Sequence, residues 1–477
     1  MDIKSPPIVK KFTIIGLHGY KDVIINFEAP AKILISENGV GKTTILYMLY
    51  SILSGRFEKI RNVEFEKAIC LLNDKKGNEF EIEIDKKTIS DSFNFNNSSS
   101  FDELLNFCDF DRQTLANFIL QEFDPSNTNI TQDSIVGREI YSTSPWGWDE
   151  IHDLMSSTLV ESDENIDGEQ HQTRQKIKEV IGDTEILYLP TYRRIEKLLT
   201  NTTSRRNGKL NPYIPRRKPN ESLPNSSGLN YGLNDVADRL ASLTEDVQRR
   251  TNLGYREISA SIIDDLLAGK ADGTLPELSS LPDIETLKLF FSRIGKNRRH
   301  EFDYLEKIDD IYHKYTSTET EQSTLIYFLL KLSQVVNQTS KLESTIENFV
   351  VKANTYLENT SDSKIFSYNP ETMDVSIINK WTGNHVKLND LSSGEKQIVS
   401  LLSYLYLYPS DKIILMDEPE LSLSIDWQQR ILVDIVDAPT CKQLLAITHS
   451  PFVFDNKLDC FATSLNIARN SSKNILI

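Results

Sequence analysis

No apolar run in these 477 residues approaches the roughly 20 that a membrane-spanning helix needs. The segment Met1-Asp2-Ile3-Lys4-Ser5-Pro6-Pro7 lacks the charged and apolar blocks of a signal peptide, so a cytoplasmic protein with no membrane partner is expected. Cysteine is scarce. Cys70, Cys108, Cys441 and Cys460 are far apart and form no C-x-x-C pair, which excludes a zinc hook and suits a reducing compartment. No H-N-H, H-E-x-x-H or clustered Asp/Glu pattern marks a hydrolytic metal centre. Internal repeats and long heptad arrays are also missing, which argues against a solenoid or an extended coiled coil. Basic charge is in deficit overall. The net charge of −16 speaks against broad nucleic-acid affinity of the whole surface.

What is present starts at Ser36-Glu37-Asn38-Gly39-Val40-Gly41-Lys42-Thr43-Thr44. An apolar run, Lys32–Ile35, precedes it and reads as a buried strand. Ile45, Leu46, Met48, Leu49, Ile52 and Leu53 follow at helical spacing, and Ser54-Gly55 ends the helix. Strand, glycine turn and helix together make the context of a phosphate-binding loop. Gly39 and Gly41 let backbone N–H groups turn toward an anion, and the helix adds its positive end. Lys42 would reach the terminal phosphates, and the Thr43 hydroxyl would ligate Mg²⁺. Ser36 stands where the G-x-x-x-x-G-K-[ST] pattern has its first glycine. Its Cβ carries a cost if that position needs positive φ.

Three further pieces lie far downstream. Leu391-Ser392-Ser393-Gly394-Glu395-Lys396-Gln397 opens a helix-periodic stretch, with Ser393 as the expected N-cap. Ile413-Ile414-Leu415-Met416-Asp417-Glu418 is an apolar strand ending in two carboxylates. Asp417 suits a Mg²⁺ shell, and Glu418 suits polarising an attacking water. Gln443–Thr448 is another apolar strand, and His449 follows it. A lone histidine there is ordinarily a packing or capping residue. The order of the pieces makes it a candidate for catalysis.

That order resembles the ABC-type ATPases: phosphate loop, signature, Walker B and switch histidine. The wide gap between the first two pieces is similar to the SMC/RecF-like branch. Gly19-Tyr20-Lys21-Asp22, Tyr188-Leu189-Pro190-Thr191-Tyr192-Arg193-Arg194 and Glu418-Pro419-Glu420-Leu421-Ser422-Leu423 resemble the OLD-type ATPases of phage-defence operons. Within these the likeness is to the ATPase subunits of Septu-type systems, including retron-associated ones. The resemblance implies ATP and Mg²⁺ as cofactors, with Asn38, Gly39, Gly41, Lys42, Thr43 and Thr44 at the nucleotide and Thr43 and Asp417 at the metal. It implies Glu418 as base and His449 as sensor of the γ-phosphate. It also implies a head-to-tail dimer, or a larger oligomer, in which Ser393, Gly394 and Glu395 face the nucleotide of the other subunit. Ser424 departs from the family, which carries Asp or His there. Only 28 residues follow His449, too few for the nuclease domain of OLD-type proteins, so a separate nuclease subunit from the same operon is the expected partner.

The fold expected is α/β: an ABC-type ATPase head, with flanking helices and an antiparallel β layer, split by a mainly helical insertion. Residues 1–194 would form the first half of the head, 195–385 a basic loop and helical arm or lid, and 386–477 the second half. Between Arg193 and Lys218 stand nine basic residues and one acid, Glu196. Arg193, Arg194, Arg205, Arg206, Arg216 and Arg217 are therefore candidates for contact with DNA or RNA. By contrast, residues 147–170 hold eight acids and no base, a solvated acidic face. Two other functions fit the same motifs: a RecF-like repair ATPase that clamps DNA, and a scaffold that binds ATP with little turnover.

Overall fold

The computed structural model describes residues 6–37, 39–74, 76–92, 98–119, 123, 131–132, 134–164, 168–190, 233–267, 285, 287, 289, 320–358, 360 and 362–469. It divides into two compact units. One comprises Met1–Asn230 with Ser410–Ile477, and the other Tyr231–Pro409.

In the first unit, strands β1 (Val9–Leu17), β2 (Lys21–Asn26) and β3 (Ala31–Ile35) lead to helix α1 (Lys42–Leu53). Strands β4 (Lys67–Asn73) and β5 (Glu79–Asp85) form a hairpin, with Asn73 opposite Glu79. Helices α2 (Lys86–Ser92), α3 (Ser99–Leu105), α4 (Arg112–Asn117), α5 (Ile135–Thr143), α6 (Trp148–Glu164) and α7 (Gly168–Ile181) follow, then β6 (Glu185–Leu189). Strands β10 (Lys412–Asp417) and β11 (Cys441–Thr448) flank helix α11 (Ile425–Val436), and the short strands β12 (Ala462–Ser464) and β13 (Asn466–Arg469) come last.

Two sheets result. One is parallel throughout, in the order β12-β3-β11-β10-β6, and the other is antiparallel, in the order β13-β2-β1-β4-β5. The parallel sheet explains the apolar runs. Every residue of β10 is buried, as a strand covered on both faces requires. The antiparallel β4 alternates half-buried and buried, as a strand covered on one face does. Gln443 joins the two sheets. Its buried side-chain amide accepts from Val9 N and donates to Val9 O, both at 2.8 Å, so it substitutes for a neighbouring strand.

Helix α1 buries Ile45, Leu46, Met48, Leu49, Ile52 and Leu53, the face predicted from their spacing. It stops in a Schellman turn. Gly55, at φ +68°, donates to Ile52 O, and Arg56 donates to Ser51 O.

The second unit holds helices α8 (Leu233–Leu267) and α9 (Thr320–Leu357), the strands β7 (Lys364–Asn369), β8 (Asp374–Asn379) and β9 (His385–Val386), and helix α10 (Ser393–Leu407). The apolar stretches 325–332 and 336–356 belong to the one helix α9. Ser333 does not interrupt it, because its hydroxyl returns to Leu330 O within the helix at 2.6 Å. Strands β7 and β8 pair as a hairpin around Asn369-Pro370-Glu371-Thr372. Helices α8, α9 and α10 pack on one another. Among the described residues, no helix is long and apolar enough to cross a membrane.

Candidate functional site

Sheet register assembles the site. Ile35 at the end of β3 stands opposite Thr448 at the end of β11, and Ile447 stands opposite Asp417 at the end of β10. Three parallel strands therefore finish side by side. The phosphate loop, Asp417-Glu418 and His449 all emerge from that one edge, the usual ligand edge of such a sheet. More than 370 residues of chain separate the first from the second, and hydrogen bonding between strands brings them together.

The loop is held open by two left-handed glycines, Gly39 at φ +80° and Gly41 at φ +98°. A Cβ at Gly39 would meet nothing within 4 Å, so its backbone borders free space. Gly41 is the N-cap of α1, no side chain caps that helix, and its first turn holds no acid. The positive helix end is thus left for an outside anion. Ser36 escapes the expected penalty, since it is not among the residues with positive φ. Its hydroxyl is buried and has no partner. Lys21 braces the loop from β2, donating to Val40 O at 3.3 Å. Asp22 accepts from Gly16 N at 2.8 Å and fixes the turn that carries Lys21.

Lys42 is buried. Its Nζ donates to Glu418 Oε1 at 3.1 Å and touches His449 Nε2. An ammonium has no acceptor, so Nε2 accepts here. His449 Nε2 lies 3.5 Å from Glu418 Oε1. Glu418 sits at φ +51°, a strained position for a residue with a side chain. That strain turns the chain sharply off β10, while Glu418 N still donates to Ile447 O at 2.8 Å. Thr43 Oγ1 donates to Asp417 Oδ2 at 2.5 Å. Thr44 follows, half-buried, in the same first turn.

Asp417 is 2% exposed, and its Oδ1 has no partner. Burial pushes its carboxyl above the usual range; the Thr43 hydroxyl pulls it back, and the Glu418 charge raises it again. A buried carboxylate with one orphan oxygen beside a hydroxyl is a site short of positive charge. That fits a hard divalent cation such as Mg²⁺ with Thr43 and Asp417 as oxygen ligands.

The signature residues lie in the second unit. The cap of α10 falls at Ser392, one residue before the expected Ser393. Ser392 Oγ accepts from Glu395 N, and Glu395 Oε2 accepts from Ser392 N at 2.7 Å. Such a capping box needs its acid three residues after the cap, and only Ser392 has one there. Glu395 is further engaged by Lys364, whose Nζ donates to Oε1 at 3.2 Å and to Oε2 at 2.9 Å. Glu395 is 3% exposed, and its contacts belong to the frame of α10. Ser393 is exposed and Gly394 half-buried. At the other end of α10, Arg239 donates twice to Leu407 O, at 3.1 and 2.9 Å.

Thus Lys42, Thr43, Asp417, Glu418 and His449 come together, with Gly39, Gly41 and Thr44 on the same loop and helix. Asn38, Arg193, Arg194, Arg205, Arg206, Arg216 and Arg217 lie outside the described residues. Sequence reasoning passed over Glu420 and Lys21 as individuals. Each was visible only as a letter in a family motif.

A family model described as an AAA ATPase domain matches residues 8–454. A probable ATPase of retron Vc95 from Vibrio cholerae serotype O1 biovar El Tor is 26% identical over 185 residues, covering 32% of this chain and 35% of that protein. The chain thus matches about a third of the length of that curated relative. Among solved structures, an SmcHead bound to the C-winged helix domain of ScpA is 11% identical, with a TM-score of 0.33 over 98% of each chain.

Proposed function

We propose how this protein works from one premise: the chain belongs to the AAA ATPase domain family. It binds ATP with Mg²⁺ and hydrolyses it. The observation that carries this reading is the meeting of Lys42, Thr43, Asp417, Glu418 and His449 at one sheet edge.

Gly39, Gly41 and the amino end of α1 receive the phosphates. Thr43 and Asp417 would hold Mg²⁺, which would neutralise phosphate charge. Lys42 now shares its proton-rich head with Glu418 and His449. An arriving γ-phosphate competes for that ammonium and frees the Glu418 carboxylate to accept a proton from water. His449, freed in the same step, would carry its proton on Nε2 instead of Nδ1, so that Nε2–H donates to the γ-phosphate.

Two subunits would close head to tail on ATP. The exposed Ser393 and half-buried Gly394 stand in the first turn of α10 beside the Ser392–Glu395 capping box, where the Ser393 hydroxyl and the remaining backbone N–H groups would face a phosphate held by another copy. The partial likeness to a retron ATPase is in keeping with the Septu-type motifs and supports a cytoplasmic role in phage defence, with ATP state controlling a separate nuclease. The basic run 193–218 would contact DNA or RNA.

Coexpression with the neighbouring gene product tests this. The partner should copurify, and Lys42→Ala should change nuclease activity or phage protection without dissolving the complex. Nucleic-acid cleavage by the purified chain alone would contradict the division of labour. Mixing Lys42→Ala subunits with Gly394-disrupted subunits should restore about one working site per dimer, since both defects fall in the same site.

A further inference from the structure

We infer that Glu420 is the positioning residue of His449, and that it acts on hydrolysis mainly through that histidine. The inference rests on the ATPase reading and names a part that the reading does not use. Glu420 follows Glu418 by two residues and reaches across to the end of β11. Its Oε2 accepts from Thr448 Oγ1 at 2.8 Å, and its Oε1 accepts from His449 N at 2.9 Å and Ser450 N at 3.2 Å.

These donors belong to the three consecutive residues around His449. The sheet ladder ends at Thr448, whose partner is Ile35, so His449 has left the strand that would hold it. One carboxylate takes over that task with charge-assisted bonds, which are shorter and stronger than neutral ones. Glu420 is fixed in turn. Gln428 in α11 donates to Glu420 O at 3.3 Å and Leu423 O at 3.0 Å, and its Oε1 accepts from Ser450 Oγ at 2.9 Å. The turn after β10, the amino end of α11 and the histidine turn are one hydrogen-bonded unit. Glu420 itself touches none of Lys42, Thr43, Asp417 or Glu418 through a hydrogen bond in this unit. The imidazole is the part of the unit that reaches Lys42.

A double-mutant cycle tests the claim. Glu420→Ala should lower kcat on the order of 10-fold to 100-fold, as expected when a reacting group is misplaced by about 1 Å. KM for ATP should change far less. Glu420→Gln keeps an acceptor oxygen for the two backbone N–H groups and an amide for the Thr448 hydroxyl, so it should recover most of the loss. In a His449→Ala background, Glu420→Ala should cost far less. An equal loss in both backgrounds, or a change in KM alone, overturns the inference while leaving the ATPase reading intact. Absence of any wild-type ATPase activity would instead sink the functional reading. Hydrogen exchange then decides the positioning claim: the peptide holding His449 and Ser450 should exchange faster in Glu420→Ala and recover in Glu420→Gln. Unchanged protection in Glu420→Ala would refute it.

Discussion

Lys364→Met should destabilise the second unit strongly, and the amount can be worked out from its contacts. Lys364 and Glu395 form a buried pair with side chains 10% and 3% exposed. Removing the lysine leaves a desolvated carboxylate with one remaining backbone donor, Ser392 N at 2.7 Å. Breaking a buried pair from one side typically costs about 3–5 kcal/mol, and the surviving donor places this case near ~3 kcal/mol. At roughly 2–4 °C per kcal/mol, the unit's melting transition should fall by about 6–12 °C. A pH dependence accompanies it. Burial alone would push the Glu395 carboxyl up, but the Ser392 amide and the Lys364 ammonium hold it below the usual range. A depressed acid contributes stability above its unfolded pKa and loses it as pH falls through the folded one. Without Lys364 the carboxyl rises, and protonation then relieves the buried charge. The gap between variant and wild type should therefore narrow as pH drops from neutral toward the carboxylate range. Adding Glu395→Gln to Lys364→Met removes the stranded charge and should return much of the loss. Scanning calorimetry at several pH values reads all three. A neutral Lys364→Met, or a double variant no better than the single one, would refute the reasoning.

Other outcomes follow from the same contacts. Asp417→Asn should abolish Mg²⁺-dependent turnover yet raise the melting temperature of the ligand-free protein at neutral pH. The carboxyl pKa is raised by burial, so its ionised form opposes folding above that pKa. A melting temperature that falls with the activity would count against that role. Gly41→Ala should cost about 1–2 kcal/mol, because φ is +98° there, and should weaken nucleotide binding; the strain lies in the backbone, as the nearest foreign atom to a new Cβ is His18 Nε2 at 3.6 Å. Replacing Arg205, Arg206, Arg216 and Arg217 by Glu should abolish DNA or RNA binding, and wild-type binding should fall steeply with salt. Salt-insensitive binding, or none, would make the basic run 193–218 a protein-docking segment or a linker.

How much of this was legible in the sequence varied with the length scale of the cause. The phosphate loop, the face of α1 and the strands β10 and β11 were readable because apolar spacing and glycine placement are local. That Thr43 and Asp417 would share a metal shell followed from motif order, whereas the ion pair of Lys42 with Glu418 was not read from the sequence. The cap of α10 was misplaced by one residue because two serines are adjacent, and the deciding signal, Glu395 three positions after Ser392, went unused. Glu395 looked like a nucleotide contact, while its partner Lys364 lies 31 residues earlier in strand β7 with no local mark. Glu420 was hidden for a similar reason. Its partners sit 28 to 30 residues away, and nothing in its neighbourhood singles it out from Glu418. The strain at Glu418 was equally unreadable, since glutamate gives no hint of positive φ.

ATP hydrolysis by Glu418→Gln tests the central claim most directly. The substitution keeps the shape of the side chain at its strained backbone position and removes its negative charge, and with it both its capacity to accept a proton and its ion pair with Lys42. Purified wild-type protein with Mg²⁺ should hydrolyse ATP, and Glu418→Gln should bind ATP while turning it over at least ~100-fold more slowly. A variant that hydrolyses ATP at the wild-type rate would contradict the account.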